Sequence, residues 1–257
     1  MGPSLTDSMR IPVQHGDSLA RGLSTVLKLI CLVSVAFASC LYSQNRSSGQ
    51  TASTLEGVLS QMDAAAAQFR SAQADFTWDQ YQKVVNETDT QKGTVYYRRT
   101  GKGDTQMAAD IQSPDQKYLL FTDGKIRIYQ PKIQQLNEYD AGKNRGEVES
   151  FLVLGFGGRG HDLQNQFEIK FDGNEDVDGV RTAKLELTPK SAKVKNMFDR
   201  IIIWVDATRS ISLKQQAFEP SGDYRLAHYM NIKLNTKIPD DVFKLHTAGK
   251  TKIVKGS

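Results

Sequence analysis

The stretch that decides the fold is "DIQSPDQKYLLFTDGKIRIYQP", residues 110–131. Asp123-Gly124 is a dipeptide typical of hairpins, because glycine supplies the positive φ that such a tight turn needs. After the turn, Ile126 and Ile128 alternate with charged residues, which is the two-residue period of a half-buried strand. The stretch therefore predicts two antiparallel strands joined by a tight turn. The Gln-Pro pair that ends it predicts a corner in the sheet.

The strand before this turn is apolar on both faces. Tyr118 and Leu120 point to one side of the strand, and Leu119 and Phe121 point to the other. A single sheet that packs a helix on one face normally leaves its other face in water. Two apolar faces therefore predict an apolar cavity in addition to a core.

The rest of the chain, from Ala74 onward, keeps the two-residue period, and turn residues separate its apolar runs. Short turns between neighbouring strands imply antiparallel order. Roughly ten short strands and few helices predict an α+β, mostly antiparallel fold, in which one curved sheet forms an unclosed barrel. Beyond the opening hairpin, the predicted strands include "GTVYYRR" (93–99), "QFEIKFDG" (166–173), "TAKLELTP" (182–189), "RIIIWVDATRSISLKQQAF" (200–218) and "YRLAHYMNIKLN" (224–235).

One amphipathic helix precedes the strands. Ser53 followed by Glu56 fits a capping box. A membrane-surface helix is the alternative, but the polar face lacks the lysines and arginines that such helices use. We therefore expect the sheet to wrap around this helix. Its apolar face is formed by positions 55, 58, 59, 62, 66 and 69.

Residues 1–44 read as a signal peptide with its n-region, because basic residues precede an apolar run of about ten residues. That run is too short to span a membrane. Residues 37–40 resemble a lipobox, so lipid anchoring at Cys40 is the alternative. Residues 45–54 read as a polar linker, and residues 55–250 as a single domain. The prediction is an exported protein.

One apolar stretch breaks the rhythm of strands. Residues 147–156, "EVESFLVLGF", predict a short helix that ends in the glycine-rich loop 155–160, "GFGGRG". Such a segment is expected to form an apolar, weakly anchored flap. The loop matches G-x-G-x-x-G by its letters, but no alternation of strands and helices surrounds it, so we expect no nucleotide site.

The sequence offers little that points to catalysis. The net charge of +4 over 257 residues is mild, and the concentrated basic stripe of a nucleic-acid binder is missing. The four histidines are far apart, without the spacing of metal ligands, and no G-x-S-x-G motif occurs. We therefore expect a protein that is not an enzyme, holds no metal or other cofactor, and binds something hydrophobic.

The order of several motifs resembles that of the LolA-type outer-membrane lipoprotein carriers and the related LolB-type receptors. The motifs are the amphipathic helix, "GTVYYRR", the opening stretch, "LTPKS", "IIIWVDA" and "MNIKLNTKIPDDVFKL", and together they cover residues 55–245. The resemblance implies an unclosed barrel (a half-barrel) wrapped around the N-terminal helix, with a short helical lid over a hydrophobic cavity.

The same resemblance implies a monomeric periplasmic carrier that shuttles acylated lipoproteins. Its partners would be an inner-membrane lipoprotein-releasing ABC transporter and an outer-membrane receptor, with no nucleic acid involved. A lipid-anchored LolB-like receptor is the alternative if Cys40 is lipidated. A regulatory module that senses lipids or lipoproteins is a further alternative.

The resemblance also implies a role for one arginine: the family places it at the end of the strand whose motif reads lysine-arginine-proline, where it tethers the closed lid through hydrogen bonds that open when ligand enters. Arg99 matches that position, although Thr100 stands where the proline is usual. Strand alternation puts Val95 and Tyr97 on the same face as Arg99. The candidate cavity and lid residues are Arg99, Val95, Tyr97, Leu59, Met62, Phe69, Met107, Ala109, Ile126, Ile128, Leu152 and Leu154.

Overall fold

A computed structural model describes residues 54–101, 104–140, 142 and 154–256. The predicted signal peptide, Cys40 and nearly all of the predicted linker lie outside the described residues, and so do residues 147–153 of the predicted flap, which include Leu152. In the described part of the chain, no helix is long and apolar enough to cross a membrane.

The described residues form three helices and twelve strands. The helices are α1 (Leu55–Gln68), α2 (Gly160–Gln166) and α3 (Ala192–Lys195). Two 3₁₀ turns span Pro131–Ile133 and Asp240–Phe243. The strands are β1 (Ser71–Gln82), β2 (Glu87–Arg99), β3 (Thr105–Ser113), β4 (Lys117–Thr122), β5 (Lys125–Gln130), β6 (Gln135–Asp140), β7 (Phe167–Val177), β8 (Val180–Pro189), β9 (Arg200–Asp206), β10 (Ile211–Phe218), β11 (Tyr224–Leu234) and β12 (Lys252–Gly256).

All twelve strands belong to one sheet, in the order β12-β6-β5-β4-β3-β2-β1-β11-β10-β9-β8-β7. Most neighbours are consecutive in the chain and antiparallel, whereas β12 runs parallel to β6. The pairing of β1 with β11 joins the first strand to a late one and brings two runs of hairpins together. Within the described residues β12 and β7 stand at opposite ends of the order, so the sheet does not close. The predicted mostly antiparallel, unclosed architecture is confirmed.

Helix α1 begins with a cap one residue later than predicted. The hydroxyl of Thr54, rather than that of Ser53, accepts a hydrogen bond from the backbone N–H of Gly57 at 3.2 Å. The apolar face packs against buried side chains of β7, β8 and β9. Helix burial therefore stabilises the half of the sheet that is remote from the opening hairpin. The buried residues of α1 are Val58, Leu59, Met62 and Ala66.

The opening hairpin has two apolar faces, as predicted, but each face packs in a different core. We call the face that carries Phe121 and Val95 the inner face of the sheet, and the opposite one the outer face. On the outer face, Leu120 packs in a separate small core with Ile238 and Phe243, which belong to the C-terminal 3₁₀ turn and the residues before it. The outer face of this hairpin is therefore apolar because it contributes to a second core.

The Gln130-Pro131 pair does not make the predicted corner in the sheet. Pro131 opens a 3₁₀ turn, Gln134 takes a φ of +48°, and the chain reverses into β6 as a hairpin. Proline has no N–H to offer to a neighbouring strand, so it ends β5. The tight turn at Asp123-Gly124 forms as predicted, with φ values of +54° and +71°.

Helix α2 was not anticipated from the sequence, because its seven residues bury only Gly160 and Leu163. It lies against α1, where a Cβ built on Gly160 would stand 2.5 Å from the carbonyl oxygen of Leu59. The absence of a side chain at this position lets the two helices approach closely. The packing partner α1, and not local periodicity, therefore explains why these residues are helical.

Candidate functional site

A cavity of about 380 Å³ lies on the inner face of the sheet. Leu154 borders it from the lid segment, our term for residues 154–159, and the other walls come from the sheet and from Phe198. Most of the lining is aromatic or aliphatic, so the cavity is suited to an apolar ligand. The lining residues are Phe76, Trp78, Val95, Tyr97, Met107, Ala109, Ile111, Leu119, Leu154, Phe198, Ile201, Gln215, Ala217, Arg225, Ala227 and Tyr229.

Cross-strand neighbours build the wall of this cavity. Val95 of β2 pairs with Ala109 of β3, which pairs with Leu119 of β4. A second row runs from β1 to β11, where Trp78 of β1 pairs with Ala227 of β11. Because side chains directly opposite each other stand on the same face of a sheet, each row presents a continuous apolar surface. Alanine within both rows leaves the space that becomes the cavity.

An aromatic cluster joins the cavity wall to the lid segment. The ring of Phe156 stacks on Tyr97 with centroids 4.3 Å apart, and it meets Tyr229 edge-on at 4.8 Å. Phe156 is only 1% exposed. Burial, together with the neighbouring Tyr229 hydroxyl, raises the pKa of Tyr97 well above its usual range. Burial alone also raises the pKa of Tyr229. Both phenols are therefore neutral at physiological pH.

The lid segment is firmly held by backbone and side-chain hydrogen bonds to β10 and its preceding turn. The Ser212 N–H donates to the carbonyl of Gly155 at 2.6 Å, and the Gly157 N–H donates to that of Ser210 at 3.0 Å. The Gln215 side-chain amide donates to the carbonyl of Leu154 at 2.6 Å. The prediction of a weakly anchored flap is therefore wrong for residues 154–159.

Glycine is required at two positions of the lid segment. Gly155 and Gly157 adopt φ values of +84° and +72°. A Cβ on Gly157 would lie 2.2 Å from the ring of Phe69, and one on Gly155 would lie 2.3 Å from the Cβ of Ser212. The glycines that read as a flexible loop in the sequence thus allow close packing instead.

Arg99 connects the lid segment to helix α1. Its Nη1 donates to the carbonyl of Ala66 at 3.0 Å, and its Nη2 donates to the carbonyl of Gly157 at 3.0 Å. The guanidinium also stands 5.9 Å from the ring of Phe69. Charge-assisted hydrogen bonds to two backbone carbonyls are among the stronger polar contacts in proteins.

The preceding residue, Arg98, has a different role. It pairs with Asp240 at 2.5 Å, donates to Gln106 at 2.8 Å, and lies 4.2 Å over the ring of Phe243 on the outer face. The two adjacent arginines therefore hold different segments: Arg99 holds the lid segment and Arg98 holds the C-terminal 3₁₀ turn.

The structure separates the other described candidate residues into four groups. Leu59 and Met62 belong to the core between α1 and the sheet. Phe69 is buried in the inner core around the cavity, and Ile126 packs against that core. Ile128 is half-buried and outside the cavity lining. The candidates that line the cavity are Val95, Tyr97, Met107, Ala109 and Leu154.

Sequence reasoning missed the wall that β1, β10 and β11 form. In "YRLAHYM" the inner positions are Arg225, Ala227 and Tyr229, and they do not read as a continuous apolar face. A usable signal was the small Ala227 between the large Arg225 and Tyr229 at the inner positions, because a small side chain there leaves space for a cavity. The pairing of β1 with β11 is the other requirement, and it is not visible in local sequence.

A cluster of charged residues joins α1 to α2 beside the lid segment. The Nδ1 of His161 lies 2.7 Å from Asp63 Oδ2, and its Nε2 lies 3.1 Å from Glu56 Oε1. Arg159 stands 3.5 Å from the same oxygen of Asp63. Hydrogen bonds that the ring donates to the carboxylates of Asp63 and Glu56 raise the pKa of His161. Desolvation would raise the pKa of Asp63, but hydrogen bonds and charge from His161 and Arg159 together lower it.

This cluster predicts that contact between α1 and α2 weakens as pH rises. A folded-state pKa above the unfolded value of about 6.5 means that His161 stabilises the contact below that pH and loses its effect as pH rises through the folded pKa. In the wild type, we expect hydrogen-exchange protection of α2 amides to fall as pH rises above about 6.5 and through the raised pKa of His161. The fall should be absent in His161→Gln and retained in His246→Gln, whose ring pairs with Asp241 away from α2. An unchanged pH profile in His161→Gln would contradict the prediction.

These observations define a class: an open β-sheet protein with an apolar internal cavity bordered by a latched segment. The chain belongs to the LolA family, since the model described as "Outer membrane lipoprotein carrier protein LolA" matches residues 67–246. The resemblance seen in the sequence is thereby confirmed. Members of this family are binding and carrier proteins.

Three proteins that are similar to this chain are only distantly so. An uncharacterized protein of Methanocaldococcus jannaschii is 22% identical over 219 residues, which cover 85% of this chain and 56% of that protein. The chain thus spans little more than half the length of this relative. An uncharacterized conserved protein from Thermus thermophilus has a TM-score of 0.50 at 10% identity, covering 78% of this chain and 98% of that one. A LolA superfamily protein from Nitrosomonas europaea has a TM-score of 0.37 at 15% identity, covering 75% and 98%.

Proposed function

We propose that the protein is a carrier that binds the acyl chains of lipoproteins in the cavity and moves them between membranes. The observation that carries this proposal is the cavity itself: about 380 Å³, with a mostly apolar lining, next to a lid segment that Arg99 ties to helix α1. Membership of a family of lipoprotein carriers supports the same ligand.

The energetics fit a carrier. Each buried methylene contributes about 0.8 kcal/mol, so burying about ten of them would give about 8 kcal/mol and a dissociation constant on the order of 1 μM. Such affinity keeps an acylated protein in solution, yet it allows release to a membrane or to a tighter receptor. A much deeper cavity would hold its ligand too tightly for transfer.

The hydrogen bonds of Arg99 to helix α1 and to the lid segment supply the means of loading and release. In the closed form, Arg99 ties the carbonyl of Gly157 to the end of α1. A ligand that enters beside Leu154 would displace the lid segment and break these hydrogen bonds. The closed state thus competes with ligand binding, and its hydrogen bonds favour release.

The proposed partners and location follow from the family. An inner-membrane lipoprotein-releasing transporter would supply the cargo and an outer-membrane receptor would accept it, with the carrier working as a monomer outside the cytoplasm. The choice between a free carrier and a lipid-anchored receptor depends on Cys40. The intact mass of the protein isolated from its native host decides between them, because a lipid on Cys40 would exclude the free carrier.

The proposal is tested by transfer of a fluorescent diacylated lipopeptide between vesicles. Wild-type protein is expected to extract the lipopeptide from donor vesicles into solution and to deliver it to acceptor vesicles. Arg99→Leu should load as well or better and release about tenfold more slowly, since losing hydrogen bonds worth about 1.4 kcal/mol from the closed state shifts the equilibrium tenfold.

Arg98→Leu is the matched control, because it removes the adjacent arginine but leaves the lid segment untouched. It should load and release like the wild type. Failure of wild-type protein to form a soluble complex with the lipopeptide would refute the carrier function. Equal release rates for all three proteins would refute only the role of Arg99.

A further inference from the structure

Arg225 is the one charged residue among the described residues that line the cavity. It lies on β11, directly opposite Ala217 of β10, which also lines the cavity. Its side chain is 38% exposed. The aliphatic stem therefore borders the apolar interior, while the guanidinium reaches the boundary with solvent. This places a permanent positive charge at the mouth of an apolar cavity.

The contacts of the guanidinium leave part of its binding capacity unused. Its Nε donates to Glu219 Oε1 at 2.9 Å, and its Cζ stands 5.8 Å from the ring centre of Phe198. Among the described residues, neither Nη1 nor Nη2 of Arg225 makes a hydrogen bond. An arginine fork with two free NH₂ groups matches the oxygens of a carboxylate or a phosphate.

We propose that Arg225 binds the anionic head group of an amphiphile whose acyl chain occupies the cavity. The ligand class is then an acyl chain that carries a carboxylate or phosphate, from a free fatty acid or from a phospholipid. This inference rests on the proposed function, because it uses the same cavity for the acyl chain. It adds a preference for charge that an apolar cavity alone would not have.

Glu219 gives the proposal a distinguishing consequence. Its carboxylate occupies one side of the Arg225 guanidinium, and it would repel an incoming anion. An anionic ligand must therefore compete with this internal carboxylate. Removing the charge of Glu219 should tighten anion binding, whereas removing that of Arg225 should weaken it. If the ion pair had only a structural role, the variants of Arg225 and Glu219 would not change anion affinity in opposite directions.

Arg200 provides a matched control. It lies beside β10 at the same end of the sheet, opposite Phe218, and its guanidinium stands 4.0 Å over the ring of that residue. Since Phe218 follows the cavity-lining Ala217, strand alternation places Arg200 on the outer face. Arg200→Gln removes the same charge from the same end of the sheet without altering the cavity.

The test is calorimetric titration of the full chain at about pH 8, where fatty acids are ionised, using palmitate and methyl palmitate as a matched pair. Lysophosphatidate and monopalmitoyl glycerol form a second pair that separates a phosphate source from a carboxylate source. Tryptophan fluorescence gives a second readout of occupancy, because Trp78 lines the cavity. The same proteins are also titrated with the diacylated lipopeptide.

We expect Arg225→Gln to lose about tenfold in affinity for one or both anionic ligands, with neutral ligands unaffected. Glu219→Gln should gain affinity for the same anions, and Arg200→Gln should match the wild type. Equal loss for charged and neutral ligands, or no loss at all, would overturn the inference while leaving the carrier function in place. Absence of binding for every ligand, the lipopeptide included, would instead overturn the carrier function on which the inference rests.

Discussion

Replacing Ala227 with tryptophan is expected to reduce the affinity for a diacylated lipopeptide by about 200-fold. Ala227 lines the cavity and stands between Trp78 of β1 and Gln215 of β10. An indole at this position would fill space that otherwise accommodates about four methylenes, which together are worth about 3 kcal/mol of binding. The measurement is direct titration, with circular dichroism to show that the sheet is retained.

Leu226→Trp is the control for this prediction. Leu226 is the adjacent residue of β11, is half-buried, and points away from the cavity because successive side chains of a strand alternate. It should retain wild-type affinity. If both tryptophan variants bind like the wild type, the ligand does not occupy the cavity. If both variants lose binding equally, the loss results from disturbed folding and not from filling of the cavity.

Replacing Phe156 with alanine is expected to lower the free energy of unfolding by about 3–5 kcal/mol. The ring is almost fully buried between Tyr97 and Tyr229, and it fastens the lid segment to the cavity wall. Truncation leaves a void and also removes two aromatic contacts, each of which adds about 0.5–1.5 kcal/mol beyond burial. In a domain of this size, we expect the melting temperature to fall by roughly 10 °C.

Phe156→Leu serves as the comparison, since it keeps most of the buried volume and loses the ring contacts. Its loss should be about 1–2 kcal/mol, clearly smaller than that of the alanine variant. Chemical denaturation of the two variants and the wild type gives the three values. A loss below about 1 kcal/mol for Phe156→Ala would mean that the lid segment contributes little to the folded state.

Several features of the fold were predictable because their causes are local. The two-residue period of residues 117–130 and the Asp123-Gly124 turn specify a hairpin whatever surrounds it, and the hairpin is present. The spacing of apolar residues likewise predicted helix α1 and its buried face. The inner position of Val95 and Tyr97 followed from alternation alone.

Other features could not be predicted from the sequence, because they depend on contacts with residues elsewhere in the chain. Gly155 and Gly157 read as a flexible loop, yet their positive φ values and lack of side chains let the lid segment pack tightly on Phe69 and Ser212. Helix α2 depends on the close approach of Gly160 to α1. None of these neighbours is within reach of a local sequence window.

The sequence by itself determined the elements of this protein: a chain of antiparallel hairpins, one amphipathic helix, and an arginine at the end of β2. Backbone propensity and the alternation of side chains act over a few residues, so a single sequence displays them. Only the tertiary structure decided which strands became neighbours. The pairing of β1 with β11 brings Trp78 beside Ala227 and closes the wall of the cavity.

The same non-local packing decided the function of individual residues. Arg99 and Arg98 are adjacent and chemically identical, but one holds the lid segment and the other holds the C-terminal turn. Arg225 became the charge at the mouth of the cavity only when β11 was placed between β1 and β10. Such contacts join residues that are far apart in the chain, and their energies depend on which surfaces the folded chain brings together.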